Sequence, residues 1–169
     1  MLISVRHAVE TDGAPLIELR RKLFAETSNM LWEADEFVQT AEDESKRIAR
    51  LNSRQNSLVL LAEEESVPVG VLTAVGGEVR RLRHSATLAL GVSRSHWGRG
   101  VATQMVTHAL GWAKTVGLRR VELTVHTTNL RALSVYLRCG FQVEGLRRCS
   151  LLVDGEYVNE YLMSSLIEA

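Results

Sequence analysis

The sequence predicts a single α+β domain, residues 1–169, with a mixed, largely antiparallel sheet flanked by helices. Three observations carry that reading. β-type runs alternate along the chain with amphipathic helical stripes. Two consecutive β-runs meet at a short acidic turn, and one apolar run, Ala86 to Val92, feeds a two-glycine loop that opens directly into a long helix. The length suffices for one substantial core, and no repeat, linker or low-complexity segment divides it.

Thr11 and Asp12 announce the first helix, with Pro15 in its first turn, where a missing N–H removes no hydrogen bond. Leu16, Leu19, Leu23 and Phe24 form its apolar stripe, and Arg20, Arg21 and Lys22 are expected to face out. The more polar segment Glu33 to Asn52, anchored by Phe37, Ile48 and Leu51, reads as a thinly buried helix. Ser57 to Glu63 and Val67 to Val75 are β-runs joined by Glu63-Glu64-Glu65-Ser66, whose charge reads as a solvated hairpin tip. Gly76-Gly77 and the basic stretch Arg80 to His84 read as an exposed strand or bulged connection with solvated arginines. Val101 to Val116 is a long helix, with Val101, Ala102, Met105, Val106, Ala109, Leu110 and Ala113 at helical spacing and Gly117 at its C′ position. The run Val121 to Val125 returns the chain to the sheet.

Twenty basic side chains balance twenty acidic ones, so overall charge makes no case for nucleic acid or an anionic membrane as partner. Two cysteines are too few for a disulfide framework, and Cys139 is expected as a buried thiol. Neither a signal peptide nor an apolar run of spanning length is legible, which reads as cytoplasmic.

The segment Val92-Ser93-Arg94-Ser95-His96-Trp97-Gly98-Arg99-Gly100-Val101-Ala102-Thr103-Gln104 carries the chemistry. A strand, a glycine loop and a helix N-terminus in succession make an anion site, because the loop N–H groups converge and the helix adds the positive end of its dipole. The plain alternative for a bare Gly-x-Gly is a tight turn between strand and helix. Elimination narrows the anion: no Gly-Lys-Ser/Thr completes a Walker loop, and Thr103 stands where a dinucleotide fingerprint needs its third glycine. Glu122 falls at the start of its strand, where it could not serve a ribose at the strand's end.

A second cluster, Asn129-Leu130-Arg131-Ala132-Leu133-Ser134-Val135-Tyr136-Leu137-Arg138-Cys139-Gly140-Phe141, follows the next strand. Together the two motifs resemble the acyl-CoA-dependent N-acetyltransferases of the GNAT superfamily. Gly98, Arg99, Gly100, Val101 and Ala102 match that family's loop, and Asn129, Ala132, Tyr136, Gly140 and Phe141 its helix. Ile3 to Ala8 with Thr11-Asp12 resembles the family's first strand and helix. Glu144 to Arg147 and Gly155 to Met163 resemble the tail of the branch with ribosomal-protein N-terminal and small-amine acetyltransferases.

The resemblance implies a GNAT-like fold and acetyl-CoA as cofactor. The pyrophosphate would lie on Trp97, Gly98, Arg99, Gly100, Val101, Ala102 and Thr103, and the pantetheine on Leu90, Val92, Asn129, Ala132 and Tyr136. His96-Trp97 departs from the basic or amide residue of many members, which shifts pyrophosphate binding toward backbone N–H groups. It implies direct attack of a primary amine on the thioester without metal, on an acceptor that is a peptide α-amine, an amino acid or another small amine, in a homodimer. A backbone N–H between Leu90 and Val92 would hold the carbonyl oxygen, and Tyr136 would act as acid toward the thiolate.

The general base is open. Thr87 and Thr124 occupy the positions where relatives carry carboxylates, and neither can take a proton. His126 shares the strand face of Thr124, and Glu122, His84 and Glu156 are further candidates. A non-catalytic acyl-CoA-binding sensor is the rival reading, and the retained Tyr136 speaks against it.

Overall fold

The computed structural model describes residues 2–168. In chain order it contains β1 (Ile3–His7), α1 (Gly13–Glu26), α2 (Ala41–Asn52), β2 (Leu58–Glu64), β3 (Val67–Gly76), β4 (Ser85–Val92), α3 (Val101–Thr115), β5 (Arg120–His126), α4 (Leu130–Arg138), β6 (Gln142–Val153) and β7 (Glu156–Leu166). One seven-stranded sheet runs β1-β2-β3-β4-β5-β7-β6, and every pair is antiparallel except β4 with β5. A parallel pair requires a crossover, which α3 provides. No helix among the described residues is long and apolar enough to cross a membrane.

The apolar side chains divide by strand parity. Leu58, Leu60 and Ala62 of β2 join the core under α3, with Met105, Val106, Ala109 and Ala113. Val59 and Leu61 point the other way, onto Leu16, Leu19 and Leu23 of α1 and Ile48 and Leu51 of α2. Coverage on both faces explains why β2 is apolar without alternation. Farther along the sheet, Val121, Leu123 and Val125 of β5 and Met163 of β7 face the α3 core. The opposite parity, Glu122, Thr124 and His126 with Glu160, Leu162 and Ser164, therefore lies on the face away from α3.

Several expectations change. Only Ala41–Asn52 of the second helical region is helical, and residues 33–40 form a loop. The helix starts where Thr40 accepts from the Asp43 N–H and Asp43 answers to the Thr40 N–H, a reciprocal cap that no residue upstream offers. Phe37 still packs, its ring 4.7 Å from Phe24. Arg20 points inward, its Nε donating to buried Glu44 at 3.1 Å, a carboxylate that Arg47 also meets. Asp12 gives its carboxylate to Arg6 and the Val9 N–H. The basic stretch before β4 holds a 3₁₀ turn, Arg80–Leu82, and its arginines are exposed. Cys139 is only half-buried at the end of α4, and Cys149 is exposed.

One irregularity decides where chemistry can occur. The parallel pairing of β4 and β5 ends at Thr87 opposite Glu122, yet β4 continues to Val92 and β5 to His126. Beyond that point the strands part. A wedge opens between them, and among the described residues the β4 edge from Leu88 to Val92 has no strand partner on that side.

Candidate active site

At the mouth of the wedge lies the loop between β4 and α3. Gly98 and Gly100 both adopt left-handed backbone, with φ of 76° and 80°, a region costly for any other L-residue. A Cβ built on either would find no atom within 4 Å, so the hollow above the loop is open. Among the described residues no acceptor meets the N–H groups of residues 98 to 103, and α3 makes its first backbone bond from Gln104 to the Gly100 carbonyl at 3.0 Å. Converging free N–H groups at a helix N-terminus fit a pyrophosphate without a dedicated lysine.

The loop is held from outside by charge that the sequence reading left in solvent. Only Glu65 and Ser66 form the tip of the β2–β3 hairpin, both with positive φ. Glu63 pairs with Arg6. Glu64 reaches the anion loop: His96 Nε2 donates to it at 3.0 Å, and Arg99 forms an ion pair with it. These bonds, Arg99 first, hold the Glu64 carboxyl down at about 2. His96 Nδ1 accepts from the hydroxyls of Ser93 and Ser95, at 2.8 and 2.9 Å, the tautomer that follows once Nε2 donates. Arg99 is thus turned to the hairpin rather than to the hollow. Trp97 Nε1 donates to the Val92 carbonyl at 2.7 Å, and the Arg131 guanidinium lies 4.3 Å from the centre of its ring, which ties the end of β4 to the first turn of α4.

On the other side of the wedge, Asn129 caps α4, its Oδ1 accepting from the Ala132 N–H at 3.2 Å. That bond uses Oδ1 alone, so the amide nitrogen can serve a ligand. Ala132, Leu90 and Val92 pack half-buried against the core below. Tyr136 is 7% exposed, with its ring 5.7 Å from Phe141. Burial pushes its hydroxyl up to about 12, and no hydrogen bond contributes to that shift. A phenol at that value and a thiol near 8.5 differ by about 5 kcal/mol, so a hydroxyl of this kind can donate a hydrogen bond to a thiolate far more readily than it can give up its proton.

The base candidates separate by place. His126 is 6% exposed at the end of β5 that borders the wedge. Glu122 sits where β4 and β5 still pair and is held by Arg120 Nε at 2.7 Å. His84 precedes β4, at the far end of the sheet, and Glu156 is exposed beside the β6–β7 turn. Sequence reasoning missed Glu160, 7% exposed and directly opposite His126 in the register. The one signal for it was a charge sharing parity with Val158 and Leu162 along β7.

A cavity of about 450 Å³ flanks the wedge, between the α1–α2 loop and the β6–β7 tip. Its wall touches β4: a Cβ on Gly91 would meet Met30 at 3.3 Å and Leu23 at 2.7 Å. Trp32, Glu33, Asp35 and Asp154 line it, and its one arginine, Arg94, is bound to Glu26 through both its N–H and its guanidinium.

The family model for the acetyltransferase (GNAT) family matches residues 24–141. The L-amino acid N-acetyltransferase AaaT of Escherichia coli is 33% identical over 119 residues, 68% of this chain and 72% of that protein. Other relatives are named ribosomal-protein-serine and spermidine acetyltransferases. In three dimensions the chain is similar to a GNAT-family acetyltransferase from Streptococcus pneumoniae, with a TM-score of 0.95 and 26% identity over 99% of this chain and 100% of the other. A phosphinothricin acetyltransferase from Sinorhizobium meliloti in complex with AcCoA shares the fold, with a TM-score of 0.86 and 16% identity over 99% and 89% of the two chains. A family model over residues 24–141 and a relative 33% identical over 68% of the chain agree, and the chain belongs to the GNAT family of acetyl-CoA-dependent N-acetyltransferases.

Proposed function

We propose that the protein transfers an acetyl group directly from acetyl-CoA to the α-amine of an amino acid or peptide. The observation that carries the reading is the wedge itself. Free N–H groups lie at its mouth, α4 with the buried Tyr136 follows its β5 side, and a separate cavity reaches the α1 side of β4 at Gly91. Acetyl-CoA brings the activated thioester. The residues 98–103 anchor its pyrophosphate, the unpaired β4 edge offers N–H donors to the carbonyl oxygen as it gains charge, and Tyr136 donates to the departing sulfur. His126 is the group placed to take the amine's proton.

Two features favour an α-amine. Threonine at both Thr87 and Thr124 leaves the wedge without a strand carboxylate to strip a strongly basic amine. At pH 7 about one α-amine in seven is the free base, against about one in 2,500 for a lysine-type amine, a gap of about 3.5 kcal/mol in the attacking form. The name of the AaaT relative points to the same acceptor class. Free-thiol release with matched α-amine and ε-amine peptides tests this: the α-amine has the higher kcat/KM at pH 7, and its lead shrinks by about pH 9. Preference for the ε-amine or a polyamine at pH 7 overturns it.

A further inference from the structure

Beyond Thr87 and Glu122, where β4 and β5 part, neither strand carries a carboxylate, yet one is buried on the next strand across. The register sets His126 of β5 opposite Glu160 of β7 on the same face, and directly opposed residues bring their Cβ atoms to about 4.5–5.5 Å. Burying a carboxylate is costly unless it is bonded, and the fold has built a socket for this one. Between Arg147, paired with Glu160, and Leu151, paired with Val158, residues 148–150 bulge out of β6. Cys149 takes positive φ there, and its N–H donates to Asn159 Oδ1 at 2.8 Å. The bulge turns the Ser150 hydroxyl onto Glu160 Oε2, which Arg147 Nη1 also meets at 3.3 Å. No hydrogen bond or ion pair of the described residues reaches the His126 ring, and the bonds of Glu160 to Ser150 and Arg147 both end on Oε2. Backbone bonds from Thr127 to the Asn159 carbonyl and from Asn129 to the His126 carbonyl fix His126 where β5 hands over to α4.

We propose that Glu160 is a positioning residue of a His126–Glu160 pair, in which His126 receives the acceptor's proton and Glu160 orients its ring and holds the imidazolium that forms. This rests on the acetyl-transfer reading above. As the amine nitrogen bonds to the thioester carbon, the C–S bond breaks with its electron pair going to sulfur. One N–H proton passes to His126 and afterwards to solvent. The charged groups facing the ring's side of the sheet are Glu160 from β7, Arg147 and Glu144 from β6, and Glu122 and Arg120 along β5 itself, where Arg120 already holds both Glu122 and Glu144. The β4 edge from Leu88 to Val92 brings no titratable side chain.

Glu160→Gln tests the pair, because it keeps the shape and an acceptor for Ser150 while removing the charge. With an α-amine acceptor, kcat falls on the order of tenfold to a hundredfold while both KM values stay within about threefold. The acid limb of the kcat/KM profile moves to lower pH, since a lost carboxylate disfavours the cationic ring. Glu160→Asp, which retains the charge, keeps that limb in place. The His126 ring ¹⁵N shifts, identified by their loss in His126→Gln, report one fixed tautomer in the wild type and a mixture in Glu160→Gln. Wild-type kcat and pH profile in Glu160→Gln, or unchanged ring shifts, overturn the proposal. Absence of thiol release by the wild-type protein on every amine defeats the transfer reading instead, and the ring shifts still decide the pair.

Discussion

Substituting Gly100 and Arg99 separately distinguishes backbone from side-chain binding of the pyrophosphate. Arg99 is ion-paired with Glu64, its side chain is 38% exposed, and exposed pairs contribute about 0–1 kcal/mol. Its guanidinium faces the hairpin, so Arg99→Ala changes the Kd for acetyl-CoA by less than about fivefold, the equivalent of about 1 kcal/mol. Gly100→Val acts on the hollow. The open space above Gly100 receives the branched side chain without a clash in the free protein, but that space is where the proposed pyrophosphate would sit. Hydrogen bonds to a charged group contribute about 1.5–3 kcal/mol each, so displacing the anion from one or two N–H groups costs about 2–5 kcal/mol, a rise in Kd from about 30-fold to several thousandfold. The valine also sits at φ of 80°, which lowers stability by about 1–3 kcal/mol. Calorimetric titration with acetyl-CoA, below the melting range of both variants, separates the two effects. Equal losses of affinity in Arg99→Ala and Gly100→Val would falsify the backbone cradle.

Tyr136→Phe lowers kcat on the order of 10²–10³-fold with little change in acetyl-CoA affinity, because the hydroxyl acts on charge that develops only during transfer. Thermal melting stays close to wild type, since no hydrogen bond among the described residues shifts that hydroxyl, and unaltered turnover overturns the assignment. The Glu64 clamp gives a pH dependence of defined sign. Its carboxyl is depressed to about 2 when folded, so its contribution is complete above the ordinary glutamate range and disappears as pH falls through about 2. Denaturant curves of wild type and Glu64→Gln therefore differ at neutral pH and converge on acidification, and a constant difference from pH 7 to pH 2 refutes the clamp.

Features that depend on neighbours in the chain were legible from the residues alone. Gly98 and Gly100 declare left-handed backbone before a helix because few other residues tolerate it, and the stripe from Val101 to Ala113 declares one buried face. Asn129 and Tyr136 stand at spacings that a single helix translates directly into a cap and a buried ring. Where hydrophobic period was weak, the reading overreached: residues 33–40 are as polar as α2, and only the Thr40–Asp43 cap decides where the helix begins.

The sequence by itself determined most of the helices, the central strands, the glycine loop and the family, because each rests on local backbone preference or on the spacing of a few residues. Tertiary structure alone decided which charges meet. Arg20 turns inward because Glu44 arrives from another helix, Glu64 closes on His96 and Arg99 because β2 ends beside the loop, and His126 faces Glu160 because β7 inserts between β5 and β6. A charged side chain carries no record of its partner in its own stretch of chain; the partner is set by strand order and register, which only the packing of the whole sheet establishes.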